Sequence, residues 1–376
     1  MMFEYYEKEA PLAFEEYLRI DHFKLKEFVS AVFQALQVSK DDACTVADVI
    51  VAADLAGISS HGVQRIRRYV DGIRVGNVNV KSHIRVVSES EAVALVDADN
   101  GLGQVAASKA MDLAVKKAEK CGIGLTLVRN SNHFGIAGYY SMKAVERGLI
   151  GVTLTNSEKL VAYTNTLGRS LGTNPIAVGI PKKKPPPILF DAATSVVPVG
   201  KIELYKKLHK EIREGWVVDE FGESLSGDAT SIHKKVRENK AAILPIGGLG
   251  EELGGHKGSG LSFMIDVISG VLSGAAWGVH VGYTVGDKPS NVGHTLLAIN
   301  IESLMSKGEF FSRIEKYIQE IKSTPKHSKA ERIWIPGEKS WLTMQTRRKK
   351  GIPIYKTIYE DLRELANELK VHWILN

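Results

Sequence analysis

The sequence predicts an α/β fold in which a mixed sheet is flanked by helices and both chain ends contribute helices. Apolar residues recur at helical spacing over residues 22–37 and again over 356–370. Short apolar runs bounded by turn residues occupy the region between these helices, as expected of strands. The length of 376 residues corresponds to two to three domains of the usual size.

The N-terminal part is predicted to be mainly helical. After the helix at 22–37, Ser39 has the character of an N-cap, and Asp41 and Asp42 lie in the first turn of a helix that runs to about Ala56. Ser60 is predicted to cap a third helix over about 61–74. This division separates 1–130, completed by 301–376, from 131–300.

The middle of the chain is predicted to supply the sheet. Strands are expected at 84–98, 122–128, 151–156, 174–180, 188–192 and 294–300, with helices at about 104–120 and 308–323. The PKKKPPP segment cannot be helical and is predicted to be an exposed connection. The apolar stretch 259–278 has Asp266 in its middle, so it is predicted to be a helix buried in protein rather than a membrane span.

Composition limits the location and the partners. The two cysteines, Cys44 and Cys121, cannot form a disulfide framework, and the acidic residues scattered through the first twenty residues argue against a targeting peptide. A cytoplasmic location is expected. The net charge of +6 is mild for this length. The basic tract 347–350 is predicted to be a solvated turn, no motif predicts nucleic-acid binding, and the histidines lack the spacing of metal ligands.

A glycine pair follows the second predicted strand. Gly101-Leu102-Gly103-Gln104-Val105-Ala106 matches the dinucleotide fingerprint G-x-G-x-x-G/A. That fingerprint also requires an acid after the next strand, but the strand ends at Val128-Arg129-Asn130. A tight strand-to-helix turn is therefore the favoured interpretation.

The segment 59–69 carries three reactive side chains. On a helix that begins near Ser60, residues His61, Arg65 and Tyr69 would be four apart and share one face. An arginine fork suits a carboxylate, and a histidine suits proton transfer. A solvated basic helix with a capping serine explains the same pattern, and the residues alone do not separate the two interpretations.

A histidine between two asparagines follows the strand at 122–128. His133 also precedes a helix of small residues that is predicted to end near Gly148. A helix N-terminus disfavours the imidazolium ion, which would leave a neutral ring able to accept a proton. We favour a functional histidine over a merely structural one at this strand end.

The fourth segment is the glycine-dense run 254–260. Its glycines would let backbone amides approach a phosphate, and Lys257 adds a positive charge. The spacing is not that of a Walker loop, and a glycine-rich hinge is the alternative.

These segments, in this order, resemble the malate/L-lactate/L-sulfolactate dehydrogenase family, and within it most closely the archaeal malate dehydrogenases. The resemblance extends from about residue 25 to 354 and rests on DLAGISSHGVQRIRRYVDGI, RNSNHFGIAGYYS, LGTNPIA, FDAATS, GWVVDEFG, GGHKGSGL and IWIPGEK. It implies a non-Rossmann fold, NAD or NADP as cofactor, and a homodimer. It also implies that 1–130 with 301–376 forms the substrate and dimer part and that 131–300 is the cofactor-binding domain. One departure is the segment 163–166, Tyr-Thr-Asn-Thr, which lacks the proline and glycines that members commonly have.

The resemblance also implies residue roles. The acid/base is the histidine that matches His133 in some members and the one that matches His61 in others. Substrate contacts match Ser60, Arg65 and Tyr69. Cofactor contacts fall on Ser157, Asp191, Ala192, Ala193, His256, Lys257, Gly337 and Glu338.

The resulting hypothesis is an enzyme that transfers hydride between NAD(P) and a small 2-hydroxy acid, with malate favoured. Lactate, sulfolactate, ureidoglycolate or a cyclic imino acid are alternatives on the same fold. A non-catalytic basic binding protein is the alternative from another class.

Overall fold

The computed structural model describes residues 6–7 and 16–376, so most of the N-terminal stretch used to argue against a targeting peptide lies outside the described residues. The helices are α1 (His22–Ala35), α2 (Lys40–Leu55), α3 (Ile66–Arg74), α4 (Gly103–Cys121), α5 (Ala137–Glu146), α6 (Val199–Lys207), α7 (Ala229–Arg237), α8 (Gly255–Asp266), α9 (Lys307–Ser323), α10 (Glu338–Lys350) and α11 (Lys356–Leu369). The strands are β1 (Tyr17–Ile20), β2 (Arg85–Glu89), β3 (Val93–Asp97), β4 (Ile123–Ser131), β5 (Ile150–Thr155), β6 (Ile176–Ile180), β7 (Ile188–Ala192), β8 (Glu211–Asp219), β9 (Ser224–Asp228), β10 (Ala241–Ile243), β11 (Val292–Ile299) and β12 (Ile352–Tyr355).

A seven-stranded mixed sheet forms the centre, in the order β2-β3-β4-β11-β5-β6-β7. Only the β3–β4 pair of this sheet is parallel, and α4 is the crossover between those two strands. The small residues of α4, Ala107, Ala110 and Ala114, are fully buried and let the helix pack closely with α5 and the sheet. The predicted mixed sheet with flanking helices is confirmed. The boundary predicted at residue 130 falls inside β4.

Both chain ends meet in one helical core. Leu25 and Phe28 of α1 and Ile50 of α2 pack in the same cluster as Leu362 and Leu365 of α11. β1 pairs with β12 in an antiparallel ladder that joins the two ends. The side chain of Ser39 accepts the N–H of Asp42, so the predicted cap of α2 is confirmed.

A smaller sheet, in the order β10-β8-β9, packs with α6 and α7 around Ile202, Val217 and Ile243. The sequence analysis assigned no elements to this region. Its strands alternate with charged residues, which weakens the apolar pattern that identifies a buried strand.

The prediction for 259–278 is wrong in one respect. α8 ends at Asp266, one π-turn follows over 267–271, and the small residues face inward while Phe263, Met264 and Leu272 are about half exposed. The π-turn packs closely against β11 because Gly293 has no side chain: a Cβ there would lie 1.8 Å from the carbonyl oxygen of Ser269. Among the described helices, none is both long and apolar enough to cross a membrane.

The basic tract 347–350 is not a solvated turn but the last turn of α10. Arg347 is only 1% exposed, and its Nε donates to Glu7 at 3.0 Å while Nη1 donates to the backbone oxygen of Asp54 at 2.5 Å. A guanidinium can be buried when acceptors meet its donors, which composition alone does not reveal.

Candidate active site

The segment around His61 is not the continuous helix that the sequence predicts. Two 3₁₀ turns, Ser59–His61 and Val63–Arg65, precede α3, with an extended Gly62 between them. The prediction that His61, Arg65 and Tyr69 share one face of a single helix is therefore wrong. The three side chains nevertheless converge, because tertiary contacts place the turns.

A cavity of about 50 Å³ lies where these turns meet the ends of β4 and β5. Its walls come from segments far apart in the chain. The lining side chains include His61, Arg65, Arg68, His133, Phe134, Thr155, Asn156, Ser157, Glu158, Thr173 and Val199.

Two histidines face each other in this space, the histidine cavity. The rings of His61 and His133 lie 5.6 Å apart at an interplanar angle of 19°, and the Tyr69 hydroxyl lies 2.7 Å from His133 Nδ1. Ser60 Oγ lies 2.9 Å from His61 Nδ1. The geometry thus joins Ser60, His61, Tyr69 and His133, all of which the sequence analysis singled out.

The protonation of these groups follows from burial and from nearby arginines. Burial, and then Arg65 and Arg68, lower the pKa of His61 to about 3. Burial, and then Arg68, lower the pKa of His133 well below its usual value. Burial raises the pKa of Tyr69 to about 12. At neutral pH both histidines are therefore neutral, as the sequence analysis expected of His133, although the helix that follows begins only at Ala137.

Two arginines line the cavity, and each has an acidic partner. Arg65 donates from Nε to the Ser60 backbone oxygen at 2.8 Å and from Nη1 to Glu203 at 2.5 Å. Burial opposes ionisation of Glu203, but Arg65, His233, Arg237 and Arg68 together outweigh burial and hold the pKa of that carboxyl far below its usual range.

Arg68, which the sequence analysis missed, is the second cation of the cavity. Its Nε donates to Thr284 Oγ1 at 3.0 Å, Nη2 lies 3.3 Å from Glu158, and its guanidinium stacks 4.7 Å from the Tyr283 ring centroid. Its position three residues after Arg65, nearly one helical turn, was an available clue.

The Gly101–Ala106 segment is a strand-to-helix turn, as favoured. A Cβ on Gly103 would lie 2.0 Å from the backbone oxygen of Asn132. The glycine is therefore required by the contact between the first turn of α4 and the end of β4, without any nucleotide.

A larger groove of about 1040 Å³ lies on the other side of the 134–138 segment. Phe134 and Gly135 line the histidine cavity, whereas Ile136 and Gly138 line the groove. The groove is also lined by Phe23, Lys26, Tyr139, Phe190, Asp191, Trp334, Gly337, Lys339 and Arg348.

The residues that the resemblance assigns to the cofactor are dispersed. Asp191 and Gly337 line the groove and Ser157 lines the histidine cavity. The Asp191 carboxylate accepts the N–H of Gly138 at 2.8 Å, and Ser157 Oγ accepts the N–H of Thr173 at 3.0 Å. Both side chains are thus already ordered by the fold.

The other assigned residues line neither space. Ala192 and Ala193 lie at the end of β7, and His256 and Lys257 are exposed in the first turn of α8. Glu338 is buried and accepts the N–H of Ile335 at 3.0 Å, with Lys322 as a second partner.

The divergent segment 163–166 is anchored to the glycine-dense run. Thr164 Oγ1 lies 2.7 Å from Ser259 Oγ, whose oxygen also accepts the Thr164 N–H at 3.0 Å. Thr164 thus joins this segment to α8, and Asn165, at one of the lost glycines, donates to Glu251 at 2.9 Å. Over residues 6–7 and 16–376, no group of three or more His, Cys, Asp and Glu side chains is arranged to hold a metal ion.

Comparisons with known proteins agree with this architecture. The model of the malate/L-lactate dehydrogenase family matches residues 20–363. The malate dehydrogenase of Pyrococcus horikoshii is 50% identical over 95% of this chain and 97% of its own. The malate/(S)-sulfolactate dehydrogenase of Methanothermus fervidus is 37% identical over 92% of this chain and 96% of its own.

A solved structure gives the same result at the level of the backbone. The structure of malate dehydrogenase from Pyrococcus horikoshii superposes with a TM-score of 0.89 at 47% identity, over 98% of this chain and 100% of that one. The chain therefore belongs to the malate/L-lactate dehydrogenase family of pyridine-nucleotide-dependent oxidoreductases.

Proposed function

We propose that this dehydrogenase interconverts a small 2-hydroxy acid and its 2-oxo acid with NAD or NADP, and that the substrate pair is malate and oxaloacetate. The arrangement of Tyr69, His133 and His61 beside two buried arginines carries the proposal. It combines a proton-transfer group with positive charge for an anionic substrate in one water-restricted cavity.

The groove has the properties that a dinucleotide needs. Its volume of about 1040 Å³ lies at the upper end of the range for small-ligand pockets. Gly337 has φ +92°, and a Cβ there would lie 2.8 Å from the Leu189 backbone nitrogen, so the chain passes very close to β7 at the groove wall. Asp191, Gly337 and the aromatic rings of the groove would hold the cofactor, with Ser157 nearer the reacting end.

Ala192, Ala193, His256, Lys257 and Glu338 remain part of the proposed cofactor contacts, although they line neither space. When bound, the nicotinamide supplies the hydride acceptor or donor.

His133 is proposed to move the proton at Nε2. Tyr69 keeps its hydroxyl proton because its pKa is about 12, and a hydroxyl can either donate to Nδ1 or accept from it. The Gly135 N–H also donates to Nδ1 at 3.3 Å, which favours the tautomer with Nε2 protonated. To take the substrate hydroxyl proton at Nε2, the neutral ring must therefore adopt the other tautomer, in which Nδ1–H donates to the Tyr69 hydroxyl; it returns that proton in the opposite direction. His61 is proposed to hydrogen-bond the same substrate oxygen or to act as the base instead.

The arginines orient the substrate. Arg65 is proposed to hold the C1 carboxylate, with Ser60 and Glu203 fixing the guanidinium. A bound carboxylate adds negative charge beside both histidines, which favours their protonated forms and assists proton transfer.

The substrate is tested by the oxidation of NADH and NADPH with oxaloacetate, pyruvate, sulfopyruvate and piperideine-2-carboxylate, together with ureidoglycolate oxidation. The names of the two relatives above favour oxaloacetate, with sulfopyruvate second. A larger kcat/KM for any other compound contradicts malate, and the absence of turnover with all of them contradicts the proposed function.

We also propose a homodimer in the cytoplasm, with no membrane or nucleic-acid partner. Leu261, Met264, Ile268 and Leu272 form an outward stripe along α8 and the turn after it, each at least 36% exposed. An apolar stripe at helical spacing on the surface favours burial against another protein surface.

A further inference from the structure

We infer that Asp54 is a positioning residue, which fixes the turn at Gly62 and thereby places His61 and Arg65 in the cavity. Asp54 does not itself line that cavity. The inference rests on the proposed function, because it assigns a role that is exerted through residues of the proposed site.

The Asp54 carboxylate occupies the space of a missing side chain. Asp54 lies in the last turn of α2 and is 2% exposed. A Cβ on Gly62 would lie 1.9 Å from Asp54 Oδ1, and Oδ2 accepts the N–H of Val63 at 2.8 Å. The backbone between His61 and Val63 is thus seated directly on the carboxylate.

This contact explains why the helix is interrupted. In a helix capped by Ser60, the Val63 N–H would lie in the first turn, where it has no backbone acceptor within the helix, and the Ser60 hydroxyl would accept it. Here Asp54 takes that N–H, and the next turn starts with the N–H of Arg65 bonded to the oxygen of Gly62 at 2.9 Å. Asp54 therefore sets the angle between the turn that carries His61 and the turn that carries Arg65.

The carboxylate is retained at a cost. Burial raises the pKa of Asp54 to about 7, and the Val63 N–H and the charge of Arg347 only partly oppose that effect. Arg347 also donates to the backbone oxygen of Asp54 at 2.5 Å. A buried ionisable group of this kind is expected where a local geometry is needed that an apolar side chain would not impose.

The first experiment compares Asp54→Ala with Asp54→Asn in oxaloacetate reduction, with exposed Asp41→Ala as the control on the same helix. Misplacement of reacting groups lowers turnover, so Asp54→Ala is expected to reduce kcat about 10- to 100-fold per folded molecule. In Asp54→Asn the amide oxygen still accepts the Val63 N–H, so this variant is expected to recover most of kcat. Cofactor affinity, measured by quenching of tryptophan fluorescence, should be unchanged in all three variants.

A second variant separates lost bonding from steric effects. Gly62→Ala places a methyl group against the carboxylate and is expected to lower kcat as Asp54→Ala does. The double variant Asp54→Ala/Gly62→Ala removes that clash but not the need for an acceptor at Val63. It should therefore stay as slow as Asp54→Ala. Wild-type kcat in folded Asp54→Ala or in the double variant would overturn the inference.

Hydrogen exchange gives a reading that does not depend on activity. Peptides covering 59–66 should exchange faster in Asp54→Ala than in wild type, while peptides from β4 and β5 stay unchanged. Unchanged exchange at 59–66 would also overturn the inference. If the wild-type protein turns over none of the substrates, the proposed function fails, and the exchange result alone decides whether Asp54 holds the turn.

Discussion

The hydroxyl of Tyr69, on α3, lies 2.7 Å from Nδ1 of His133, which is two residues beyond the end of β4. This bond ties the helical part of the chain to the central sheet at Nδ1 of the ring whose Nε2 is proposed to carry the proton. It orients the His133 ring, and the ring of His61 stacks against it at 5.6 Å. In the proposed mechanism, proton transfer depends on how accurately the helical part is positioned against the sheet.

His133→Ala is expected to lower kcat for oxaloacetate reduction by about 10²–10⁴-fold, the usual contribution of general acid/base catalysis. Cofactor affinity should be unchanged, because the large groove lies beyond the 134–138 segment. Steady-state kinetics and tryptophan quenching measure the two effects. Exposed His327→Ala is the control, and near-wild-type turnover in His133→Ala would transfer the role to His61.

Arg65→Lys keeps the charge but loses the fork that binds Ser60 and Glu203 together. The expected result is mainly a higher KM for the 2-oxo acid, with a smaller change in kcat. Arg67→Lys is a matched control, since Arg67 lies in the first turn of α3 and pairs with Glu368 at the surface. An unchanged KM in Arg65→Lys would refute the proposed carboxylate contact.

The sequence predicts where helices and strands lie better than it predicts which of their faces are buried. Sequence patterns identified α1, α2, α4 and α11, whose buried apolar side chains lie in the two main cores. They also identified α9, of which only Ile318 is buried. They failed at 61–74, where a carboxylate from α2 breaks the helix, and a tertiary contact of that kind leaves no local pattern. They failed at 259–278 because an apolar stripe on the surface of a helix gives the same sequence pattern as an apolar stripe packed against a core.

The candidate site divides in the same way. Motifs identified His61, Arg65, Tyr69 and His133, because each combines a reactive side chain with a turn or a strand end. The sequence analysis did not identify Glu158, Glu203 or Thr284. An acid or a hydroxyl outside a motif becomes a candidate site residue only when the fold places it beside an arginine.

Arg347→Met is expected to lower the free energy of unfolding by about 3–5 kcal/mol, because it leaves buried acceptors without their cation. Glu7 and the backbone of Asp54 are the partners that lose it. Lys349→Met, exposed in the same turn, should change stability by no more than about 0.5 kcal/mol. Denaturant titration measures both, and equal stabilities would contradict the buried role of Arg347.

The outward stripe on α8 predicts a dimer that charge should disrupt. Wild-type protein at micromolar concentration is expected to have the mass of two chains in light scattering. Met264→Glu/Leu272→Glu should shift it to one chain, because burying two carboxylates in an apolar contact is unfavourable. Leu304→Glu, at a residue 80% exposed elsewhere, is the control. A monomeric wild type would contradict the proposal.

Asp54 should make stability depend on pH in a direction opposite to that of most carboxylates. Burial raises its pKa from 3.8 to about 7 in the folded chain. The folded state therefore binds the proton more tightly than the unfolded state, and stability is lost as pH rises from about 4 through about 7.

Asp54→Asn removes this titration, so the free energies of unfolding of wild type and variant should differ by an amount that changes with pH. Between pH 5 and pH 8, the wild type is expected to lose about 2–4 kcal/mol relative to Asp54→Asn, as measured by the difference in free energy of unfolding at each pH. The difference between the two proteins cancels titrations that they share. A constant difference across this range would show that the Asp54 carboxyl does not change protonation there, and a difference of the opposite sign would mean that Arg347 and the Val63 N–H outweigh burial.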